Sequence, residues 1–226
     1  PRNNEELFGF NHNEKYFLNL IKKNRISNNY IFNGIKGIGK ATFAYRLARF
    51  IFAKQDVLDS TKNLFISKES KIFKSVENLI HPDLHVVEKD IEKKKINTEQ
   101  LKLLDKITYV TSIESKYKII IIDSLDDLTT KKSFSTLLKL LEECPINCIF
   151  ILISHSLTKV PSTIRSRCQK IYFRPIPNEK IKQWFENSKI IDENKLNILI
   201  NLANGSLGRA LNIINNKEFF DIYIKA

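Results

Sequence analysis

The chain has 226 residues, 42% of them apolar, and a formal net charge of +12. This length suits one large domain or two small ones with a real core, and no apolar run approaches the length of a membrane span. The first residues lack the apolar core of a signal peptide. Cys144, Cys148 and Cys168 are too few and too irregularly spaced for a disulfide framework, which indicates a reducing, cytoplasmic environment. The sequence contains no methionine, so we expect a trimmed chain.

The positive charge indicates a polyanionic partner, with DNA or RNA first in line. A composition rich in lysine, isoleucine and asparagine is also typical of an AT-rich genome. The lysines are spread along the chain apart from the run 93–95. From charge alone, nucleic-acid contact and a compositional origin both stay open.

Alternating strand and helix patterns predict an α/β fold with a parallel sheet and helices on both faces. Helical periodicity follows Thr42, begins again at a capping box at Asn97 and runs to about Val110, and covers residues 130 to 143. Residues 54 to 80 are polar and are predicted to form a surface insertion. The predicted strands are Tyr30–Asn33, Leu84–Glu88, Lys118–Asp123, Cys148–Ser154 and Lys170–Phe173.

After the proline-rich connector 174–177 only helical periodicity follows. We expect one helix around Ile181, a second around Leu199, and a third that Gly205-Ser206 caps and that runs through Leu211 and Ile214. The sequence therefore predicts an α/β domain over residues 1–176 and a small helical lid over 177–226.

Residues 34 to 42 form a phosphate-binding loop that departs from its pattern at one position. Glycines let such a loop curl its amides around phosphates, and a lysine reaches the terminal phosphates. The next residue is normally Ser or Thr, whose hydroxyl holds Mg²⁺, but here it is Ala41. Thr42 lies about 100° further around the helix and is expected to point elsewhere. The predicted nucleotide-binding residues are Gly34, Gly37, Gly39, Lys40, Ala41, Thr42 and Asp123.

Asp123 ends an apolar strand, as the metal-facing aspartate of a Walker B motif does. Active ATPases of this broad type place a glutamate next, whereas Ser124 stands here and cannot act as an unaided base. Asp126 and Asp127 follow, and we interpret them as charges at the start of the next element. The phosphate loop thus lacks a metal ligand and the Walker B motif lacks a catalytic acid, and both losses weaken ATP hydrolysis.

Together these motifs resemble the delta-prime family of bacterial DNA polymerase III clamp-loader subunits, within the AAA+ class, over nearly the whole chain. The resemblance includes the stretches 81–84, 123–128 and 137–143, and the motif Ser166-Arg167-Cys168. It implies a five-stranded AAA+ P-loop domain and a helical lid. It also implies that Arg167 is an arginine finger offered to ATP on a neighbouring subunit, with Arg165 a less favoured substitute. Cys168 is interpreted as a small buried residue.

Several departures from the family shape the expected ligands. The stretch 54–80 has no cysteine or histidine, so no zinc module is expected, and His81 and His85 are interpreted as structural. Gly208 stands where motor subunits place the arginine of their sensor 2 motif, and Arg209 lies one step off. The sensor 1 position falls on Ser154 or His155. We expect at most weak binding of ATP or ADP, without a proper Mg²⁺ site and without zinc.

The resemblance implies partners among the motor and delta-like clamp-loader subunits, contact with primer-template DNA, and no membrane. A hetero-oligomer is expected at full length. The C-terminal collar domain of relatives is expected to be absent here, which would leave the fragment monomeric. The first hypothesis is therefore a replication subunit of the polymerase holoenzyme with no ATPase activity of its own. The alternatives are an active AAA+ ATPase of a clamp loader or other DNA-processing machine, and a nucleic-acid-binding module that uses no nucleotide.

Overall fold

The computed structural model describes residues 1–53, 63–89, 95–188 and 193–216. The chain forms two compact units. The sheet unit comprises Pro1–Asn33 and Ala41–Tyr172, and the lid unit comprises Gly34–Lys40 and the chain from Phe173 onward.

A five-stranded, all-parallel sheet forms the centre of the sheet unit, as predicted. Its spatial order is β2-β3-β4-β1-β5. The strands are β1 Asn29–Asn33, β2 Leu84–Glu88, β3 Lys118–Asp123, β4 Cys148–Ser154 and β5 Gln169–Tyr172. The fifth strand begins and ends one residue earlier than predicted. The two longest strands, β3 and β4, are the continuous apolar runs and are buried along nearly their whole length.

Helices flank the sheet between the strands. In chain order the helices of this part are α1 Asn11–Lys22, α2 Lys40–Phe52, α3 Lys71–Glu77, α4 Thr98–Thr108, α5 Lys131–Glu142 and α6 Ser162–Arg167. Short 3₁₀ turns span Leu125–Asp127 and Leu157–Lys159. The predicted helices are present, with the Asn97 backbone N–H bound to the Gln100 side chain at 2.8 Å at the start of α4. The sequence reading missed α1 and α6 because one is polar and the other is under two turns long.

The prediction of a surface insertion over residues 54–80 is right only in part for the residues that the structure describes, because most of them are exposed but several apolar side chains are buried. Residues 54–62 lie outside the described residues. Between residues 63 and 80 some apolar side chains are buried, while Phe65, Leu79 and Ile80 are exposed. Ser70 caps α3 by accepting a bond from the Phe73 backbone. The apolar residues were too widely spaced among lysines and serines to reveal this packing. Four of them are at most 9% exposed: Leu64, Ile66, Phe73 and Val76.

Two buried arginines on α2 hold the N-terminal segment against the sheet unit. Arg46 pairs with Glu14 of α1 at 2.6 Å and also donates to the Glu5 carbonyl. Arg49 donates to the Asn4 carbonyl at 2.9 Å. Burial, followed by the nearby charge of Arg46, lowers the pKa of Arg49 to about 10. The guanidinium groups therefore replace apolar packing on one face of α2, which hydrophobic periodicity alone did not predict.

Asp83, in the turn before β2, is fully buried and anchors a distant loop. Its Oδ1 accepts the Ile113 backbone N–H at 2.7 Å, and its Oδ2 accepts the backbone N–H groups of Glu114 and Ser115 at 2.9 and 2.8 Å. The Ser115 hydroxyl adds a fourth bond at 2.8 Å. The Asp83 carboxylate thus supplies the hydrogen-bond acceptors that water would otherwise provide to the backbone of residues 113–115, which leads into β3.

His81, two residues earlier, has the structural role that was predicted. Its ring stacks on Phe52 with centroids 3.9 Å apart, and its Nδ1 accepts the Asp83 backbone N–H at 3.2 Å. Burial lowers the pKa of His81, while the charges of Asp83 and Glu114 act in the opposite direction. The imidazole is therefore neutral at pH 7 and serves packing.

The described residues of the lid unit form the three predicted helices: α7 Asn178–Ser188, α8 Glu193–Ala203 and α9 Leu207–Asn215. Gly205 has φ +75°, a conformation that favours glycine, and Ser206 caps α9 by accepting the Arg209 backbone N–H at 3.2 Å. The buried face of α9 is formed by Ala210 and Ile213, while the predicted Leu211 and Ile214 are only half-buried. Among the described residues, no helix is both long and apolar enough to span a membrane.

Candidate functional site

The phosphate loop, in the lid unit, folds around its own lysine. Gly37 and Gly39 have φ of +79° and +112°, so both positions need glycine. The Lys40 ammonium donates to the carbonyls of Gly34 at 2.5 Å and Ile35 at 2.8 Å, and the residue is 3% exposed. A phosphate that took up this lysine would have to compete with those two carbonyls.

Within the lid unit, α9 packs directly on the phosphate loop. The Gly208 backbone N–H donates to the Gly37 carbonyl at 3.0 Å, and the Ser206 hydroxyl donates to the Lys36 carbonyl at 3.1 Å. A Cβ atom built on Gly208 would collide with that same Gly37 carbonyl oxygen. The position that motor subunits give to an arginine therefore accepts no side chain here.

A cavity of about 340 Å³ lies beside this contact in the lid unit. The exposed cations Lys36 and Arg209 line it, so it attracts anions in general. Arg209, which lies one step from the sensor 2 position, is exposed and lines this cavity. The full lining is Ile35, Lys36, Gly37, Asn204, Arg209 and Asn212.

The next two residues of the motif open the sheet unit's part of α2. Ala41 is half-buried and has no oxygen to offer a cation. Thr42 is buried, at 9% exposure. The residue at the Mg²⁺-ligating position of the loop therefore does not fit a magnesium ion, because only a side-chain hydroxyl there supplies that ligand.

Asp123 is half-buried at the carboxyl end of β3, where its backbone lies opposite Glu88 of β2 and Ile153 of β4. Ser124 follows and is 2% exposed. Its hydroxyl donates to Asp127 at 3.1 Å, and its backbone N–H lies 3.4 Å from the same carboxylate oxygen. Ser124 thus uses its hydroxyl hydrogen to cap the 3₁₀ turn, and it lacks the carboxylate that would take a proton from an attacking water molecule.

The two following aspartates also have structural partners. Asp127 binds Ser124, and Asp126 accepts the His155 backbone N–H at 2.6 Å. The next α-helix, α5, begins later and is capped by Thr130. The prediction that both aspartates lie at the start of the next element is confirmed, because they belong to the 3₁₀ turn Leu125–Asp127. Their hydrogen bonds to Ser124 and His155 give them structural roles there.

Arg167, the predicted finger, is the last residue of α6 and is 40% exposed. Its Nη2 forms a short ion pair with Oε1 of Glu142, the last residue of α5, and its Nη1 donates to the Thr163 carbonyl at 3.1 Å. The guanidinium is held in place and remains at the surface. Arg165, the substitute, is only partly exposed.

The sheet separates Arg167 from the chain's own Walker B position. Arg167 precedes the amino end of β5, and its carbonyl lies 3.5 Å from the side-chain amide of Asn29, the first residue of β1. Asp123 ends β3 and therefore lies at the carboxyl edge of the same parallel sheet. A strand of five residues spans about 13 Å between its end residues, so the two groups lie at opposite edges.

Comparison with known proteins decides the family. Residues 10–177 match the family model described as DNA polymerase III, delta subunit, which is most of the chain. The chain belongs to the DNA polymerase III delta-subunit family. The recognition made from the sequence motifs, a clamp-loader subunit of the delta-prime kind, is confirmed.

Curated relatives of this family member include two subunits from Bacillus subtilis. The delta' subunit of DNA polymerase III is 30% identical over 208 residues, which cover 91% of this chain and 59% of the relative. The tau subunit of DNA polymerase III is 31% identical over 227 residues, covering 97% of this chain and 38% of the relative. The chain spans less than two thirds of the length of either relative.

Solved structures support the α/β AAA+ fold of this delta-family chain. The Thermotoga maritima RuvB Holliday junction branch migration motor aligns with 100% of the chain and 68% of its own, with a TM-score of 0.57 at 15% identity. Similarity at that identity concerns the fold alone.

The structure also shows the surroundings of further residues of the delta-family chain that the sequence analysis named. Cys168 is buried, and burial raises the pKa of its thiol to about 12, which agrees with a packing role. Ser154 is fully buried at the end of β4, and its hydroxyl accepts the Ser156 backbone N–H at 3.2 Å. Glu142, which the sequence reading used only as part of a motif, emerges as the partner of Arg167.

Proposed function

We propose that this delta-family chain acts in clamp loading by presenting Arg167 to nucleotide bound on a neighbouring subunit, while hydrolysing little or none itself. The observation that carries the proposal is the position of Arg167. It lies at the edge of the sheet opposite Asp123, is half-exposed, and is held by Glu142 and the Thr163 carbonyl. A cation at this edge of the sheet can face nucleotide bound on a second molecule, whereas the Walker B aspartate of its own chain lies at the opposite edge.

The chemistry follows from what an arginine offers to a triphosphate. During phosphoryl transfer, negative charge spreads over the oxygens of the γ-phosphoryl group, and a guanidinium placed against them stabilises the transition state. Its planar fork suits phosphate oxygens, and its charge is permanent at neutral pH. Arg167 would therefore act without any proton transfer, which suits a residue supplied across an interface.

The chain's own nucleotide motifs support the second half of the proposal. Ala41 lacks the magnesium hydroxyl, and Ser124 is used to cap a turn. Lys40 donates to loop carbonyls. Gly208 accepts no side chain where a motor would carry an arginine. Glycines 34, 37 and 39 and Lys40 can still attract phosphates, so weak binding of ATP or ADP is compatible with this role.

Its partners would be other clamp-loader subunits, among them the one whose ATP receives Arg167. The net charge of +12 suits an additional contact with primer-template DNA. An active AAA+ ATPase is the second candidate, favoured by a phosphate loop that keeps Gly34, Gly39 and Lys40. Under the first candidate, Ala41 and Ser124 keep this chain from hydrolysing ATP. Under the second, the chain hydrolyses ATP in spite of both residues.

Nucleotide binding by the purified chain should be nearly independent of Mg²⁺, because the loop lacks its hydroxyl ligand. We expect Kd for a non-hydrolysable ATP analogue, measured by isothermal titration, to change by less than about threefold when Mg²⁺ is removed. The matched variant Ala41→Ser should introduce a Mg²⁺-dependent gain in affinity, and Lys40→Ala should weaken binding in either case. A tenfold or larger tightening by Mg²⁺ in the unmodified chain would favour the active ATPase instead.

A further inference from the structure

We propose that Glu142 is a positioning residue for Arg167, fixing the guanidinium in the orientation from which it reaches a neighbour's triphosphate. This inference rests on the proposed function, because it assigns a role to the residue that holds the finger. Glu142 and Arg167 are the final residues of α5 and α6, so the pair joins the ends of two helices in the sheet unit.

Two contacts fix the plane of the guanidinium. Nη2 pairs with Oε1 of Glu142, and Nη1 donates to the Thr163 carbonyl at 3.1 Å. An arginine side chain has five N–H donors in a rigid fork. These two contacts use two of them, so three donors remain for phosphate oxygens while the side chain stays in one rotamer.

Stability alone does not account for a glutamate at this position. Both side chains of the pair are about half-exposed, with 40% for Arg167 and 43% for Glu142. Such exposed pairs contribute little to folding. A carboxylate at the C-terminus of a helix is also unfavourable, because that end carries partial negative charge. This unfavourable interaction with the helix end is explained if the Glu142 carboxylate serves to hold the arginine.

Holding the arginine in advance favours catalysis because its rotamer freedom is lost before ATP arrives. A flexible guanidinium would have to lose that freedom in the transition state, which lowers the rate and not the affinity for ATP. Removal of Glu142 should therefore lower kcat for the neighbouring site and leave KM for ATP unchanged.

The experiment uses a clamp loader reconstituted with this chain and its partner subunits. Hydrolysis is followed in a single turnover, so that sites served by other arginines do not mask a loss at the neighbouring site. We expect Glu142→Ala to lower kcat at that site by about three- to fivefold, the effect of losing one half-exposed ion pair. Glu142→Gln keeps an acceptor oxygen, so its kcat should lie between those of the parent and Glu142→Ala. Glu143→Ala is the matched control, since that carboxylate binds the Tyr109 hydroxyl at 2.7 Å and lies 3.8 Å from Lys139. It should leave kcat unchanged, and thermal melting of all variants should match the parent.

A double-mutant cycle with Arg167→Ala decides whether Glu142 acts through the arginine. The effect of Glu142→Ala should disappear in the Arg167→Ala background. An unchanged or raised kcat in Glu142→Ala, or a loss that persists without the arginine, would overturn the inference. If Arg167→Ala alone left hydrolysis unchanged, the proposed function itself would fail, which separates the two outcomes.

Discussion

Replacing Arg167 with alanine should slow single-turnover ATP hydrolysis at the receiving site of a reconstituted clamp loader by about 10³-fold or more. This is the lower end of the effect of an arginine finger supplied in trans in other P-loop systems. The size follows from removing a full positive charge from the developing transition state, in a site shielded from water. It is the largest effect that we expect from any single substitution in the chain.

The measurement is the hydrolysis rate of ATP bound to the loader in one turnover, so that sites served by other arginines do not mask the loss. Arg167→Lys should recover only part of the rate, because an ammonium lacks the planar fork. Arg165→Ala tests the substitute finger and should leave the rate close to that of the parent. A fall in rate with Arg165→Ala but not with Arg167→Ala would reassign the finger, and no fall with either would remove it.

Replacing Asp83 with alanine should lower the free energy of unfolding by about 3 to 5 kcal/mol. The carboxylate is fully buried and accepts four hydrogen bonds, three of them from the backbone of residues 113 to 115. Its removal takes away the protein acceptor of all these donors and leaves an empty space where the buried carboxylate was. The loop they belong to leads into β3, so the loss should extend to the core of the sheet unit.

Chemical denaturation of the isolated chain measures this loss. Asp105→Ala is the matched control, since Asp105 is partly exposed and lies 3.7 Å from Lys139 in a surface pair. That control should cost less than about 1 kcal/mol. Equal losses for the two variants would mean that the hydrogen bonds of Asp83 contribute no more than a surface contact.

The same carboxylate should leave a signature in acid. Burial acts to raise the pKa of Asp83, but hydrogen bonds from Ile113, Glu114 and Ser115 outweigh it and lower the pKa overall. A depressed pKa stabilises the fold above the unfolded value of about 3.9, and this stabilisation is lost as the pH falls through the folded value. The difference in unfolding free energy between the parent and Asp83→Asn should therefore be constant above about pH 5 and shrink below about pH 4.

The parts of the fold that were predictable are those where local pattern and burial agree. The core of β3 is an unbroken run of isoleucines and β4 is almost wholly apolar, and the helix over 131–142 has a clear amphipathic period with a Thr130 cap. The packing of residues 63 to 80 was not predictable because its few apolar residues have no regular period. Tertiary contacts, and not local propensity, order that segment.

The residues of the candidate site also differ in whether the sequence alone could predict them. Ala41 and Ser124 could be identified as defects from spacing alone, because each motif fixes the chemistry required at one position. The requirement for glycine at position 208 could not, since it depends on a backbone approach to Gly37. The pairing of Glu142 with Arg167 likewise joins residues 25 positions apart, 142 and 167, on different helices. Such contacts are visible only once the fold is known.

Turnover of Mg²⁺-ATP by the purified chain is the most direct test of the central claim that this subunit serves a neighbour's nucleotide and not its own. We expect no release of phosphate above that of a Lys40→Ala control, even with saturating nucleotide. Hydrolysis on the order of once per second that Lys40→Ala abolishes would contradict the account, because it would require a complete catalytic site within this one chain.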